Sequence, residues 1–196
     1  DEVIEGGQTM NPSTEDILNA ADKINADTIF VLPNNSNIIL ASNQAASIIE
    51  DKKLIVIPTK TIPQGITAMI NFELTRSADE NEKAMLESLS TVKSGQLTYA
   101  VRDTSIDGKE IKKDNYLGLG DNGLASVGTD MDDTLIDMLS EFVDDESELI
   151  SVYYGEDIDE NKAEELVYKI EEKFDGVDVE LQYGGQPVYY YIVSVE

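Results

Sequence analysis

Hydrophobic residues in the first half of the chain fall into short continuous runs and helically spaced stripes. Residues 28–32 and 54–57 are short apolar runs rich in β-branched side chains, a pattern typical of strands that are buried on both faces. Residues 38–49 carry apolar side chains at helical spacing, and a similar stripe spans residues 17–24. Two strands joined by a helical crossover predict a right-handed βαβ unit with a parallel sheet.

Local signals refine the helices of this half. Ser13 precedes the first stripe and is a preferred N-cap residue, with Asp16 at the position of the capping-box acid. A third helix is predicted around residues 66–72 and a fourth over residues 79–92. We expect Gly95 to end the fourth helix, because glycine is the preferred residue just past a helix terminus.

The pattern becomes strand-rich after residue 95. Short β-rich segments separated by turn residues predict strands at residues 97–101, 115–117, 124–127, 149–154, 177–183 and 188–195. Helical spacing predicts two helices, at residues 131–142 and 159–173. We therefore predict an α/β fold of two subdomains. Residues 1–95 form a parallel-sheet α/β subdomain, and residues 96–196 form an acidic α+β subdomain with two helices on a mixed or antiparallel sheet.

The composition limits the chemistry that this chain can perform. Its 196 residues, 41% of them hydrophobic, are enough for a substantial core. Cysteine and histidine are absent, which removes disulfides, thiolate nucleophiles, imidazole bases and the usual zinc ligands. There is no signal peptide and no apolar run long enough to span a bilayer. Because the chain begins at Asp1 and not at methionine, we expect it to be a fragment of a longer protein.

Charge is the strongest global feature of the sequence. Forty acidic residues against 14 basic ones give a net charge of -26, so nucleic acid and anionic membranes are poor partners and a basic protein is a better one. Residues 130–160 contain 13 acidic residues and neither lysine nor arginine. Such a run is either a solvated face or a negatively charged docking surface. The docking interpretation assigns partner binding to Asp130, Asp132, Asp133, Asp137, Glu141, Asp144, Asp145, Glu146, Glu148, Glu156 and Asp157.

A glycine motif in the second half has two interpretations. Residues 118–123 match G-x-G-x-x-G literally. The dinucleotide fingerprint requires a helix directly after the glycines, whereas a short strand follows here. The Asn-Gly pair at residues 122–123 is a preferred hairpin dipeptide, so the motif favours a hairpin.

The acidic run also raises the possibility of a metal site. Asp130, Asp132 and Asp133 are closely spaced, but they lack the ladder of oxygen ligands, the glycine and the terminal glutamate of a calcium-binding loop. Carboxylates at a helix start complement the helix dipole, and this interpretation is favoured. The sequence therefore predicts no metal site.

Polar loops follow both predicted parallel strands. Residues 34–36 and 59–61 each come directly after a strand and before a helix. Ligands bind at the carboxyl ends of strands in open α/β sheets, and free N–H groups at a helix start favour an anion. The candidate ligand-loop residues are Gln8, Thr9, Asn35, Ser36 and Thr59. The alternative is that these side chains only cap helices and close turns.

Three segments in order resemble the C-terminal domain of the catalytic subunit of bacterial fatty acid kinase, which is of the dihydroxyacetone kinase-like family. They are residues 6–14 (GGQTMNPST), 32–41 (LPNNSNIILA) and 57–65 (IPTKTIPQG), and the ending at residues 183–189 (YGGQPVY) with Glu196 is similar as well. The resemblance covers nearly the whole chain. It implies a fold similar to that of DegV-type fatty acid-binding proteins, with two α/β subdomains.

The resemblance also implies a division of labour. In this family the kinase phosphorylates a fatty acid carried by a separate DegV-type protein, which gives an acyl-phosphate for phospholipid synthesis. ATP and Mg are expected in the N-terminal kinase domain of the cytoplasmic parent protein, and a middle domain carries cysteine and histidine residues. The resemblance implies no cofactor and no catalytic residue for the C-terminal domain.

The resemblance to DegV proteins weakens at the ligand loop, and this difference favours a docking domain over a ligand-binding module. DegV proteins hold the fatty-acid carboxylate with a Ser-Gln-Pro-Ser-like loop and a Ser-Gly-Thr element. In this chain the second of these elements is replaced by Ser36-Asn37-Ile38, in which a β-branched apolar side chain stands in place of the small hydroxyl residue. Our leading hypothesis is a non-catalytic domain whose acidic face docks onto a basic surface of the acyl-carrying protein, without membrane insertion. The alternative is a DegV-like module that binds a small ligand or a fatty acid. A third idea, an independent hydrolase or phosphatase, is disfavoured because the sequence lacks histidine, cysteine and a recognisable metal cluster.

Overall fold

Strands β1 (Thr28–Val31) and β2 (Lys53–Val56) pair in parallel in the computed structural model, which describes residues 1–6, 11–106 and 108–196. Helix α2 (Ser36–Ile48) joins the two strands, so the predicted parallel α/β arrangement is confirmed. These elements belong to the first of two compact units, Asp1–Thr91 and Val92–Glu196. The predicted division of the domains at residues 95 and 96 stays a prediction.

Three further helices cover the two-stranded sheet of the first unit: α1 (Thr14–Lys23), α3 (Ile62–Ile70) and α4 (Ala78–Ser88). The predicted capping box of α1 is present, because Ser13 N–H donates to the Asp16 carboxylate at 2.8 Å and Asp16 N–H donates to Ser13 Oγ at 3.2 Å. Helices α1 and α2 pack with Ile29 and Leu54, whereas α3 and α4 pack with the alternate strand residue Ile55. Since successive strand residues point to opposite faces, the sheet is covered on both sides.

The second unit is built on a six-stranded mixed sheet in the order β7-β6-β3-β10-β8-β9, in which only β8 and β9 pair in parallel. A separate two-stranded sheet joins β4 and β5. The strands of this unit are β3 (Lys93–Tyr99), β4 (Thr104–Ile106), β5 (Lys109–Ile111), β6 (Tyr116–Gly120), β7 (Gly123–Gly128), β8 (Leu149–Tyr154), β9 (Asp178–Tyr183) and β10 (Tyr191–Val195). Helices α5 (Met131–Phe142) and α6 (Glu160–Lys173) supply buried side chains to the same core as the sheet, as predicted.

Gly95 does not end a helix, so the predicted stop signal is wrong. Helix α4 ends at Ser88, and Gly95 lies inside strand β3. A Cβ atom on Gly95 would lie 2.7 Å from Cε2 of Phe142 and 2.8 Å from Sδ of Met138. Helix α5 can therefore approach the sheet this closely only because residue 95 has no side chain.

The glycine motif at residues 118–123 forms the predicted hairpin. Strand β6 ends at Gly120 and β7 begins at Gly123, with a two-residue turn at residues 121–122. The turn starts one residue earlier than the Asn-Gly signal predicts. A Cβ atom on Gly120 would lie 2.7 Å from Cζ of Phe142, so this glycine also makes room for helix α5.

The last predicted strand is shorter than expected, and β9 and β10 are not neighbours. Strand β8 lies between them, and β10 pairs with β3 and β8 in the middle of the sheet. Strand β10 begins at Tyr191, and the predicted start at Val188 is excluded by its φ of 71°, which is incompatible with an extended strand. No helix among residues 1–6, 11–106 and 108–196 is long and apolar enough to cross a membrane.

Candidate functional site

The polar loops that follow β1 and β2 are bonded to each other. The Thr59 hydroxyl donates to Asn34 Oδ1 at 2.9 Å and accepts the Asn34 N–H at 2.9 Å. Thr59 is fully buried, and Asn34 has a left-handed φ of 54°, which asparagine tolerates better than most residues. The two loops at the carboxyl ends of the parallel strands are thus locked together.

The Asn34 side chain also fills the space beside the first turn of α3. A Cβ atom on Gly65 would lie 2.1 Å from Asn34 Oδ1. The Gln64 side chain accepts the Lys60 N–H at 2.8 Å, which satisfies one more polar group of the second loop. The Asn34 N–H, the Asn34 amide oxygen, the Thr59 hydroxyl and the Lys60 N–H are therefore bonded within the protein.

The candidate ligand-loop residues have structural roles where they are described. Asn35 is the N-cap of α2, accepting the Asn37 N–H at 2.9 Å, and Ser36 is the first residue of that helix. Thr59 belongs to the bonded pair with Asn34. Gln8 and Thr9 lie outside the described residues.

Three of the predicted docking carboxylates form a line along helix α5. Asp133, Asp137 and Glu141 are spaced by four residues, which places them on one side of the helix, and all three are exposed. Among the described residues none of the three makes an ion pair. We call Asp133, Asp137 and Glu141 the α5 acidic row.

The N-terminal part of this helix has a clear electrostatic reason for its acids. Asp130 is the N-cap of α5 and accepts the Asp133 N–H at 3.0 Å. Negative charge is favourable in the first turn of a helix because of the helix dipole. Asp137 and Glu141 lie beyond that turn and gain nothing from it. The helix start that the sequence predicts is therefore confirmed, but it explains only part of the row.

Two other predicted docking residues are paired with lysines. Asp132 Oδ2 lies 2.6 Å from the Lys169 ammonium, and hydrogen bonding to Asp132 raises the pKa of Lys169. Asp144 bonds to the Lys93 ammonium, and this hydrogen bond, with those from Glu146 N–H and Ser147, holds the pKa of Asp144 below its usual value. These two carboxylates present less net negative charge to a partner than the α5 acidic row does.

The remaining acids are divided by strand β8. Glu148 precedes the strand, as do Asp145 and Glu146, whereas Glu156 and Asp157 follow it. The six residues of the strand, at about 3.3 Å each, separate the two groups by roughly 20 Å. The eleven predicted docking residues therefore do not form one cluster. Asp133, Asp137 and Glu141 lie together on α5, whereas the acids before and after β8 lie at opposite ends of that strand.

Among the described residues, no three acidic side chains converge as they would around a metal ion. A shallow depression beside the α5 acidic row is lined by Asp137, Glu141 and Lys109. The Lys109 ammonium donates to the Ala125 carbonyl at 3.2 Å and makes no ion pair with either carboxylate. The row can attract cations, because its three carboxylates are exposed and make no ion pair among the described residues.

Sequence reasoning missed one surface of the first unit. The outward side of α3 is apolar and exposed at Ile62, Ile66, Met69 and Ile70. Apolar spacing predicted the helix but not this exposure. The available signal was charge, because residues 52–72 contain no acidic residue in a chain that has 40 of them.

The fold is that of DegV proteins. The chain matches a DegV family protein from Corynebacterium glutamicum with a TM-score of 0.68 and 12% identity, covering 99% of this chain and 87% of that one. It matches the Streptococcus pneumoniae fatty acid kinase (Fak) B3 protein, solved with linoleic acid, with a TM-score of 0.66 and 14% identity, covering 94% of this chain and 76% of that one.

Sequence relatives define the family more closely. Protein YloV of Bacillus subtilis (strain 168) is 48% identical over 194 residues, and an uncharacterized protein of Staphylococcus aureus (strain MRSA252) is 46% identical over 194 residues. Each match covers 99% of this chain and 35% of the relative, so the chain spans about a third of the length of these relatives. Residues 1–196 match the model of the FakA-like C-terminal family of fatty acid kinase, and the chain belongs to that family.

Proposed function

We propose that this domain is a non-catalytic docking module of a fatty acid kinase. Its partner is the DegV-type protein that carries the fatty acid, and contact is made through the α5 acidic row. Membership of the FakA-like C-terminal family supports the kinase context. ATP, Mg and acyl-phosphate formation belong to other domains of a cytoplasmic parent protein in this proposal.

The observation that carries the proposal is the unpaired state of the α5 acidic row. Like charges four residues apart on a helix repel, and each such pair costs roughly 0.2–0.5 kcal/mol. The dipole of α5 does not offset this cost at Asp137 or Glu141. Carboxylates that weaken the helix and contact no cation among the described residues are well suited to a basic partner, because complementary potentials steer encounter and set orientation.

The proposal is tested by reversing the charge of the row. We would replace Asp133, Asp137 and Glu141 with lysine and measure binding to the DegV-type fatty acid-binding protein of the source organism by sedimentation. The control replaces three exposed glutamates of α6, Glu164, Glu165 and Glu172, with lysine. Both variants change the net charge equally, so a general effect of charge weakens both alike.

We expect the α5 variant to lose binding at least tenfold more than the α6 variant. Added salt should weaken the wild-type complex, because it screens the attraction. Equal binding by the two variants would reject the row as the docking surface. A complex that resists both charge reversal and salt would reject electrostatic docking altogether.

A DegV-like ligand-binding module is the second candidate, and the fold favours it. Structural neighbours of this chain include DegV proteins solved with bound fatty acids. The bonded pair of Asn34 and Thr59 argues against this candidate. It ties together the two loops between which an anionic head group would bind. A fatty acid that co-purifies with the chain, detected by mass spectrometry of an organic extract, would decide in favour of ligand binding.

A further inference from the structure

Three tyrosine rings meet at one end of the six-stranded sheet. The centroid of the Tyr190 ring lies 5.9 Å from that of Tyr99 and 5.8 Å from that of Tyr116. Tyr99 ends β3 and Tyr116 begins β6, and the two are direct partners across these strands, so their rings stand on the same face of the sheet. We call Tyr99, Tyr116 and Tyr190 the tyrosine cluster.

A strained turn holds Tyr190 in this cluster. Val188 has a φ of 71°, and the Tyr189 N–H donates to the Pro187 carbonyl at 2.8 Å, which together define the rare form of the γ-turn. A β-branched residue seldom adopts a positive φ. The Thr98 hydroxyl donates to the Val188 carbonyl at 3.1 Å and ties the turn to β3. Strained backbone is concentrated at functional sites, and here it positions one ring of the cluster.

The tyrosine cluster is partly open to solvent. Tyr99 is 40% exposed, whereas Tyr116 and Tyr190 pack partly against the core of the unit. Neither the Tyr116 nor the Tyr190 hydroxyl bonds to another group among the described residues, and no buried side-chain oxygen there lacks a partner, so both hydroxyls reach solvent. The cluster therefore offers a ligand the ring of Tyr99 and two free hydroxyls.

Two turns that carry acids flank the cluster. The Asp114 N–H donates at 2.8 Å to the carbonyl of the residue that follows Tyr99. The Gly155 N–H donates to the Tyr190 carbonyl at 2.9 Å, two residues before Asp157. Burial is the main cause of the raised pKa of Tyr190, and the other two tyrosines, Asp157 and Asp114 raise it further. Both carboxylates are exposed, and neither makes an ion pair among the described residues.

We propose that the tyrosine cluster, with Asp114 and Asp157, binds the guanidinium of an arginine side chain on a basic protein partner. The face of an aromatic ring attracts a cation, and a planar guanidinium stacks on the ring while its N–H groups bond to carboxylates and hydroxyls. Among the described residues no lysine or arginine stacks on these rings. A net charge of -26 favours a basic protein as the source of the arginine.

The identity of this partner rests on the function proposed above, whereas the recognition of arginine does not. If the DegV-type protein docks on the α5 acidic row, the tyrosine cluster gives it a second contact in the same unit. The row attracts positive charge in general, but the cluster selects a flat cation that can stack. Tyrosine and arginine are both common among the residues that dominate binding energy at interfaces.

The first test needs no partner and uses the 196-residue chain with labelled tyrosine rings. Two-dimensional NMR follows a titration with N-acetyl-arginine amide. We expect saturable shifts at Tyr99 and Tyr190, binding of N-acetyl-lysine amide that is weaker by about threefold or more, and no saturable shift with the uncharged N-acetyl-citrulline amide. Tyr168 is the internal control, because it is 67% exposed among the glutamates of α6 and contacts no other ring of the described residues.

The second test measures binding of the DegV-type protein. Tyr99→Leu removes the exposed ring but keeps apolar bulk, so it should weaken the complex by about fivefold or more. Tyr99→Phe keeps the ring and should bind within about twofold of wild type. Tyr168→Leu is the matched control, and circular dichroism establishes that all three variants are folded.

The outcomes separate this inference from the proposed docking on the α5 acidic row. No saturable shift with the arginine probe, or equal shifts at Tyr168 and at the cluster, overturns the inference. Partner binding that is equal for Tyr99→Leu and Tyr168→Leu overturns it as well and leaves the row in place. If lysine reversal of the row has no effect while Tyr99→Leu weakens the complex, the row is rejected and the cluster stands. If wild type does not bind the DegV-type protein, the docking proposal fails and the arginine titration alone decides for or against the cluster.

Discussion

Asn34 and Thr59 bond to each other twice across the carboxyl ends of two parallel strands. The Thr59 hydroxyl is both donor and acceptor in this pair, at 2.9 Å in each direction. Thr59 is fully buried and Asn34 is partly buried, so removing the hydroxyl leaves polar groups of Asn34 without a partner in a largely shielded position. The pair lies at the carboxyl ends of the parallel strands, where open α/β sheets bind ligands, and we infer that it stabilises the first unit.

We predict that Thr59→Val destabilises the protein by about 1–3 kcal/mol. The substitution keeps the shape of the side chain but leaves the Asn34 N–H and amide oxygen without their partner, and an unsatisfied buried polar group has a cost of this size. Urea denaturation monitored by circular dichroism measures the change. Thr59→Ser retains the hydroxyl and should lose less. Equal stability of wild type and Thr59→Val would show that the pair adds nothing.

A second prediction concerns the contact between β3 and α5. Gly95→Ala adds a Cβ atom at a position 2.7 Å from the Phe142 ring, which forces the helix away from the sheet. Overpacking of this kind typically costs about 1–3 kcal/mol. Thermal and urea unfolding measure the loss.

Phe142→Leu supplies the control for this contact. If the clash with the Phe142 ring is the cause, the double variant Gly95→Ala, Phe142→Leu should lose less than the sum of the two single variants. Additive losses would mean that Gly95 is required for another reason.

The sequence predicted some elements well because their signals are local. The continuous apolar runs at β1 and β2, and the capping box at Ser13, each lie within a few residues. The role of Gly95 depends on a residue that is distant in the sequence. A glycine that ends a helix and a glycine that makes room for a helix cannot be told apart in the sequence unless it is known that Phe142 packs against it. Residue patterns also gave the acids of α5 and the strand at residues 149–154 that separates Glu148 from Glu156.

A third prediction concerns acid stability at the Asp144–Lys93 pair. Hydrogen bonding to Lys93 lowers the pKa of Asp144 in the folded state below the ordinary value of 3.8. A lowered folded-state pKa stabilises the protein above the unfolded-state pKa, and this contribution disappears as pH falls through the folded value. Asp144→Asn should therefore be less stable than wild type at neutral pH, with a difference that shrinks below about pH 4.

Urea titrations of both proteins from neutral pH to pH 3 measure this difference. Comparing the two proteins removes the effect of the other carboxylates, whose protonation relieves repulsion in wild type and variant alike. A stability difference that stays constant down to the lowest pH would contradict the assignment of the shift to Asp144. Lys93→Met should give a similar pH dependence, because it removes the other partner.

The last prediction links stability to docking at Asp137. Asp137→Asn removes repulsion with Asp133 and with Glu141, so it should stabilise the protein by about 0.4–1 kcal/mol in low salt. The same change should weaken binding to the DegV-type partner, because it removes the central charge of the α5 acidic row. Glu165→Gln is the matched control: it removes one charge from α6, where Lys162 and Lys169 lie three and four residues away, so it should give no gain in stability. If both variants stabilised equally, overall charge would be the cause and not the row. A residue whose neutralisation makes the fold more stable and the complex weaker is one whose charge serves the partner and not the fold.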